Sequence, residues 1–112
     1  RRRMNNSLEE IGKRLSERRR KVGLSQEELG ERAGVTGQTI SYAELGKKAM
    51  RTDTLLRICE VLEVSPDYLL LGQISTEHAS HLLKRMESLT PGQFSDLENI
   101  IELFIQAVQR KD

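Results

Sequence analysis

The stretch from residue 26 to residue 45, QEELGERAGVTGQTISYAEL, decides the fold. Its apolar residues recur at helical spacing in two short segments, one on each side of Gly34. The first segment follows a capping box formed by Ser25 and Glu28, which marks the start of a helix. Gly30 supplies the small residue that two crossing helices need, and Gly34 can adopt the positive φ of a tight turn. We therefore expect two helices joined by a tight turn, an arrangement in which the second helix can enter the major groove of DNA.

Further helices are predicted on both sides of this stretch, because capping residues precede apolar stripes of period 3.6 and glycines follow several of them. No segment shows the alternation of a half-buried strand, so the predicted fold class is all-α. The predicted helices start at or just after Ser7, Ser25, Thr36, Thr52 or Asp53, Ser65, residue 76 and Thr90. The first five would form a domain over residues 7–72, followed by a linker at residues 73–75 and a two-helix hairpin at residues 76–112.

The charges of the chain are distributed unevenly. Its 112 residues carry 18 Lys plus Arg against 17 Asp plus Glu. Residues 1–51 have a net charge of +6 (thirteen basic, seven acidic), whereas residues 52–112 have a net charge of −5 (five basic, ten acidic). A basic half joined to an acidic half favours a polyanion-binding face with a separate task elsewhere. The small number of aromatic residues, two Tyr and two Phe, disfavours single-strand binding, which relies on aromatic stacking.

Residues 1–6 are expected to form a flexible arm. Whether Arg1 to Arg3, which precede Met4, are native residues stays open.

Several classes of protein are excluded by what the sequence lacks. The single cysteine, Cys59, leaves no intrachain disulfide and suits a reducing compartment. No apolar run approaches the roughly 20 residues of a membrane span, and no signal-peptide pattern is present, so we expect a cytoplasmic protein without a membrane partner. No residue spacing indicates a catalytic triad or a cofactor motif, so we expect neither an enzyme nor a cofactor.

Three strings carry a resemblance that spans residues 8–72: GLSQEELGERAGV, TISYAELGK and DTLLRICEVLEVSPDYLLLG. Through them the chain resembles the Cro/CI-type, or XRE-like, helix-turn-helix family of phage and bacterial repressors. The resemblance implies a five-helix lambda-repressor-like domain and a sequence-specific DNA-binding transcription regulator that acts as a repressor. It also implies that the helix at residues 36–45 reads a palindromic or pseudo-palindromic operator in the major groove.

Two opposite charges are expected to meet inside the first domain. Arg19 lies on the apolar stripe of the first helix, between Leu15 and Val22. Glu44 lies four residues past Ile40, on the inward side of the third helix. Because a lone buried charge is expensive, the two side chains should form an ion pair, as the matching residues do in similar proteins. We expect this pair to fix the recognition helix.

The outward side of the third helix holds the residues expected to face the bases: Thr36, Gly37, Gln38, Ser41 and Tyr42. Residues near the start of a recognition helix reach base edges. Gln38 can bind adenine through two hydrogen bonds, while Thr36 and Ser41 can serve any base. Tyr42 would contact a thymine methyl group or a phosphate. Gly37 departs from the family, in which a polar side chain often occupies this position, so one base contact is missing.

The expected phosphate contacts flank that helix. Lys47 and Lys48 follow it directly, and Arg51 is a further candidate. Gln26 begins the second helix, whose free N–H groups can bind a phosphate, and the resemblance assigns a phosphate contact to Gln26 as well.

The hairpin is expected to be a dimerisation region, since two helices of this size cannot bury a sufficient core alone. In a homodimer the two recognition helices could read half-sites about 34–36 Å apart. The expected interface residues are Leu97, Ile100, Ile101, Phe104, Ile105 and Val108. Two alternatives stay open: the hairpin folds back on its own DNA-binding domain, or it captures a regulatory protein as an antitoxin-like or partner-sequestering module.

Two further groups of residues are interpreted without a functional role. Arg18, Arg20 and Lys21 fit a solvated face better than a DNA contact. His78 and His81 share one face of a helix, but a structural zinc site needs four ligands, so no metal is expected.

Overall fold

The computed structural model describes residues 7–110, except for the side chains of Glu77 and His78. Within these residues it contains seven α-helices and no strand, which confirms the all-α prediction. The helices are α1 (Leu8–Val22), α2 (Gln26–Ala33), α3 (Gly37–Glu44), α4 (Thr52–Leu62), α5 (Pro66–Leu71), α6 (Thr76–Met86) and α7 (Pro91–Gln109). The predicted arm at residues 1–6 and the last two residues of the predicted hairpin lie outside the described residues.

Local capping chemistry sets most helix starts. The Ser25 hydroxyl accepts the N–H of Glu28 at 3.0 Å, while the Glu28 carboxylate accepts the N–H of Ser25 at 2.8 Å. The same reciprocal box joins Thr90 and Gln93 at the start of α7. These bonds satisfy N–H groups that have no partner inside the helix, so a short pattern suffices to predict the start. α4 is different, because its N-cap residue is Arg51, which makes no side-chain capping bond.

One hydrophobic core lies within the first five helices. α3 packs against both α1 and α2, and α4 packs against α2 and α5. Cys59 is 4% exposed and belongs to this core, as expected for an inert thiol in an apolar stripe. The buried apolar residues are Leu15, Leu29, Ala33, Ile40, Ala43, Leu55, Ile58, Cys59, Leu62, Val64 and Leu69.

Arginines cap the C-terminal ends of several helices from elsewhere in the chain. Arg14 donates to the carbonyls of Leu69 and Leu70, in the last turn of α5, and each of the two distances is 2.9 Å. Arg18 donates to the carbonyl of Leu62 at 2.9 Å, and Arg57 donates to the carbonyl of Ala33 at 2.7 Å. The last carbonyls of a helix lack intrahelical partners, so these bonds join each helix end to another helix. Arg18 is therefore half-buried, which corrects its interpretation as part of a solvated face.

The chain divides into two compact units, one ending at Ser80 and the other beginning at His81 inside α6. Residues 73–75, the predicted linker, lie outside the helices, and Ser75 Oγ lies 3.3 Å from Ser65 Oγ. The linker position and the domain bounds built on it stay predictions. Over residues 7–110, none of the helices combines the length and the apolar character that crossing a bilayer requires.

Candidate nucleic-acid interface

The turn between α2 and α3 depends on two glycines. Gly34 ends α2 with φ 78°, and the next N–H, that of Val35, donates to the carbonyl of Gly30 at 2.8 Å. A Cβ atom on Gly30 would lie only 2.7 Å from the carbonyl oxygen of Val35. The backbone of the turn that leads into α3 therefore approaches α2 more closely at Gly30 than any residue with a side chain allows. The small residue that the sequence predicted at Gly30 is required by this approach of the turn.

A second close approach, between α1 and α3, was not predicted from the sequence. A Cβ atom on Gly12 would overlap the carbonyl oxygen of Glu44 and lie 2.5 Å from that of Ala43. Gly12 thus lets α1 lie directly against the end of α3. The signal in the sequence was a glycine in the interior of a strongly predicted helix, where its low helix propensity requires a compensating reason.

Arg19 and Glu44 come together beneath α3. Arg19 Nε lies 2.5 Å from Glu44 Oε2, and Arg19 Nη2 lies 3.1 Å from Glu44 Oε1. Both side chains are buried, with 9% and 5% of their surface exposed. The hydrogen bond to Glu44 raises the pKa of Arg19 more than burial lowers it, so the guanidinium stays charged. Arg19 also donates to the carbonyl of Leu24 at 2.8 Å, which ties the end of α1 to the loop before α2.

Gln26 joins the same cluster from the start of α2. Its Nε2 atom donates to Glu44 Oε1 at 3.0 Å. The carboxylate of Glu44 is thereby held by one side chain from α1 and one from α2. A phosphate contact by Gln26 would therefore use its backbone N–H at the start of α2 or its remaining side-chain atoms.

The outer surface of α3 carries a second contact between predicted site residues. Gln38 Nε2 donates to the hydroxyl of Tyr42 at 3.0 Å, one turn later on the helix. The hydroxyl of Thr36 is occupied, because it caps α3 through the N–H of Thr39 at 3.1 Å. Ser41 is half-buried beside them. Gln38 is thus the longest polar side chain presented by the first turn of α3.

Gly37 has a packing role at the start of α3. A Cβ atom there would lie 2.9 Å from Glu27 Cγ and 3.2 Å from Glu27 Cα, on the first turn of α2. The start of α3 thus lies so close to α2 that Glu27 occupies the space next to Gly37. At this position the family often carries a polar side chain.

The predicted cations lie at the far end of α3 and before α4. Lys47 Nζ lies 5.9 Å from the centre of the Tyr42 ring, and Lys48 is exposed in the loop that follows. Arg51 Nε lies 3.5 Å from Asp53 Oδ1, and 84% of the Arg51 side chain is exposed. An ion pair this exposed is weak, so Arg51 can exchange Asp53 for a phosphate at small cost. Polar side chains and cations therefore occur together along one helix and the loop that follows it.

The predicted dimer residues lie on α7, in the second unit. Within the described residues α7 has no buried residue, although several large apolar side chains lie along it. Ile100 is 63% exposed and Phe104 is 68% exposed, whereas Leu97 is half-buried. Among the described residues, Ile101, Ile105 and Val108 are also exposed.

Comparisons with known proteins agree with this arrangement. A family model described as helix-turn-helix matches residues 15–69. The HTH-type transcriptional regulator ImmR of Bacillus subtilis is 36% identical over 76 residues, which cover 67% of this chain and 60% of ImmR. The SPbeta prophage-derived uncharacterized HTH-type transcriptional regulator YonR of Bacillus subtilis is 32% identical over 82 residues, 73% of this chain and 76% of YonR. Repressor protein C2 of Salmonella phage P22 is 35% identical over 78 residues, 70% of this chain but 35% of that repressor.

Two solved structures show how far the similarity extends. The P22 c2 repressor in complex with a synthetic operator superimposes with a TM-score of 0.55 and 36% identity, covering 56% of this chain and 96% of that one. The SinR protein in a SinR–SinI complex superimposes with a TM-score of 0.53 and 25% identity, covering 86% of this chain and 98% of that one. The first covers little more than half of the chain, whereas the second covers most of it. The chain itself spans less than two thirds of ImmR and of the P22 repressor.

Proposed function

We propose that this chain, which belongs to the Cro/CI-type helix-turn-helix family, is a transcriptional repressor that binds double-stranded DNA at a specific sequence. One observation carries the proposal. A helix held from beneath by the Arg19–Glu44 pair presents Gln38 and Tyr42 on its outer surface, with Lys47 and Lys48 directly after it. The similar P22 c2 repressor is bound to an operator through the same fold, which supports the same activity here.

In the proposed complex α3 lies in the major groove. Gln38 and Tyr42 would face base edges near the start and middle of α3, together with Thr36, Gly37 and Ser41. Lys47, Lys48 and Arg51 would neutralise phosphates on either side of the groove, and the N-terminus of α2 at Gln26 would bind another. Repression would be steric, because a protein occupying the operator blocks access by polymerase. We propose a cytoplasmic location, where the DNA is, and no catalytic activity.

We further propose that two copies associate through α7. A symmetric pair would cover the apolar face of α7 that includes Ile101 and Phe104, both of which are exposed. Two-fold symmetry would place two copies of α3 on one side of the duplex, so the operator would be palindromic or nearly so. A hairpin that instead folds back on its own first unit would leave the chain monomeric.

A second candidate function concerns another protein as the partner of the hairpin. The match to SinR extends over 86% of this chain, which reaches beyond the first unit, and that protein was solved in complex with SinI. A different protein with its own apolar helices could cover α7 in place of a second copy. Size-exclusion chromatography with light scattering distinguishes the two, because the purified chain alone forms a dimer only in the first case.

The experiment that tests the primary proposal is selection from random double-stranded oligonucleotides, followed by binding measurements over a range of salt concentrations. A repressor of this kind should select a two-fold-symmetric site. Its affinity for that site should exceed its affinity for unrelated DNA by at least about 10³-fold, and both should fall with salt. Selection without a recurrent sequence, together with equal affinity for all duplexes, would contradict the proposal.

A further inference from the structure

The contact between Gln38 and Tyr42 restricts both side chains before any DNA is bound. Gln38 Nε2 donates to the Tyr42 hydroxyl at 3.0 Å, across one turn of α3. The Tyr42 ring is half-buried, and Lys47 Nζ lies 5.9 Å from its centre. Lys47 is itself tied to the helix, because its backbone N–H donates to the carbonyl of Tyr42 at 2.9 Å. The Tyr42 ring is therefore restricted in its motion. Gln38 is exposed, and its side chain would rotate freely without the hydrogen bond to Tyr42.

The chemistry of this contact determines which groups remain for a base. A side-chain amide has one carbonyl oxygen and two N–H donors, and a phenol can both accept and donate. With one N–H directed at Tyr42, Gln38 keeps its carbonyl oxygen and its second N–H. The Tyr42 hydroxyl, having accepted from Gln38, keeps its own O–H as a donor. The pair thus offers an adjacent acceptor and donor on Gln38, plus one further donor on Tyr42.

We propose that Tyr42 is a positioning residue, whose hydroxyl fixes the amide of Gln38 in the orientation that reads adenine. Adenine offers N7 as an acceptor and its N6 amino group as a donor in the major groove, which is the complement of the two groups left on Gln38. Guanine offers two acceptors there, N7 and O6, and would face the carbonyl oxygen of Gln38 unfavourably. This inference rests on the proposed function, since it describes how that function selects a base.

Two structural facts make Gln38 dependent on Tyr42. Gly37 contributes no side chain, and the hydroxyl of Thr36 is engaged in capping α3. Neither neighbour can therefore orient the Gln38 amide. An amide that is already oriented loses less conformational entropy on binding, so the hydroxyl of Tyr42 should increase discrimination between bases.

The test uses Tyr42→Phe, which keeps the ring and removes only the oxygen. Wild type, Tyr42→Phe, Gln38→Ala and the double variant are compared on the selected operator and on a copy with guanine in place of the adenine facing Gln38. We expect Tyr42→Phe to lower the adenine-to-guanine affinity ratio about three- to tenfold, as befits the loss of one neutral hydrogen bond. In the Gln38→Ala background the same change should have little effect on that ratio. The slope of affinity against salt should stay unchanged in Tyr42→Phe.

A second readout needs no DNA. In the free protein the side-chain amide protons of Gln38 should shift in the nuclear magnetic resonance spectrum of Tyr42→Phe, while the backbone amides of α2 keep their positions. If wild type selects an operator but Tyr42→Phe keeps the full ratio, or if the two substitutions act additively, the inference is overturned while the proposed function stands. If wild type selects no operator, the proposed function itself fails, and the inference fails with it.

Discussion

Gln26 Nε2 lies 3.0 Å from Glu44 Oε1, so the first residue of α2 is hydrogen-bonded to the last residue of α3. The same oxygen accepts Nη2 of Arg19 at 3.1 Å. One buried carboxylate therefore connects three consecutive helices, α1, α2 and α3. Any change at Glu44 should affect the angle between α2 and α3, on which a helix-turn-helix depends.

Removing Arg19 should destabilise the first unit strongly. In Arg19→Ala the carboxylate of Glu44 stays buried without its cation, which costs on the order of 3–5 kcal/mol for a fully buried pair. Urea denaturation followed by circular dichroism measures the change in the free energy of unfolding. Arg20→Ala is the matched control, because Arg20 is the exposed neighbour, and it should change stability by less than about 0.5 kcal/mol. Equal stability of wild type and Arg19→Ala would contradict the role assigned to the pair.

Substitutions of the base-contacting residues and of a phosphate-contacting residue should have different effects on DNA binding. Gln38→Ala combined with Tyr42→Ala should abolish the preference for the operator while leaving binding to unrelated DNA nearly intact. Lys47→Ala should weaken binding to all duplexes alike and reduce the slope of log affinity against log salt by about 1. Fluorescence anisotropy at several salt concentrations measures both effects. A Lys47→Ala variant that lost only operator binding would argue against a phosphate contact.

Disrupting the apolar face of α7 should produce monomers. Ile101→Asp together with Phe104→Asp places charges where the second copy would pack, which should weaken association by at least about 2 kcal/mol for each buried anchor residue. Light scattering at micromolar concentration reports the mass. Glu102→Gln lies between the two positions and serves as the control that should stay dimeric. A wild-type chain that is already monomeric would remove the basis for the dimer.

Two glycine substitutions should act in opposite directions. Alanine favours helix over glycine by about 1 kcal/mol when nothing obstructs its methyl group. Gly92→Ala meets no atom within 4 Å and should raise the helicity of α7 slightly. Gly12→Ala meets the backbone carbonyls at the end of α3, so crowding should outweigh propensity and lower stability by about 1–3 kcal/mol. Thermal denaturation followed by circular dichroism compares the two. A stabilised Gly12→Ala variant would mean that α1 and α3 are farther apart.

The capping box of α2 should make stability depend on pH in acid. Hydrogen bonds from Ser25, chiefly from its backbone N–H, lower the pKa of Glu28 below the ordinary value of 4.5. A carboxyl whose pKa is lower when folded stabilises the native state above its unfolded pKa, and this contribution is lost as pH falls through the folded value. Glu28→Gln keeps an oxygen for the cap but cannot ionise. The stability difference between wild type and this variant, measured by urea denaturation at a series of pH values from 7 downwards, should therefore be full at pH 7 and shrink as the pH falls through the folded pKa of Glu28.

The sequence by itself determined where most helices of the described chain begin, because capping boxes, glycine stops and apolar periodicity act over a few residues. α4 is the exception, since Arg51 makes no side-chain capping bond and Glu63, not a glycine, ends the helix with φ 57°. Ser25 with Glu28 and Thr90 with Gln93 are local patterns, and the structure shows both of them as reciprocal caps. The inward positions of Arg19 and Glu44 also followed from periodicity. A contact between them could be argued because a buried charge requires a partner.

Only the tertiary structure decided which distant groups meet. Arg14 reaches carbonyls 55 and 56 residues away, and Arg18 reaches one 44 residues away, so neither role leaves a local pattern. Gln26 binds Glu44, and Gly12 meets the end of α3, because α1, α2 and α3 pack at angles that the spacing along one helix does not specify. Local hydrogen bonds and helical periodicity are encoded within a few neighbouring residues. The capping of one helix by an arginine of another depends on the three-dimensional packing of the whole core.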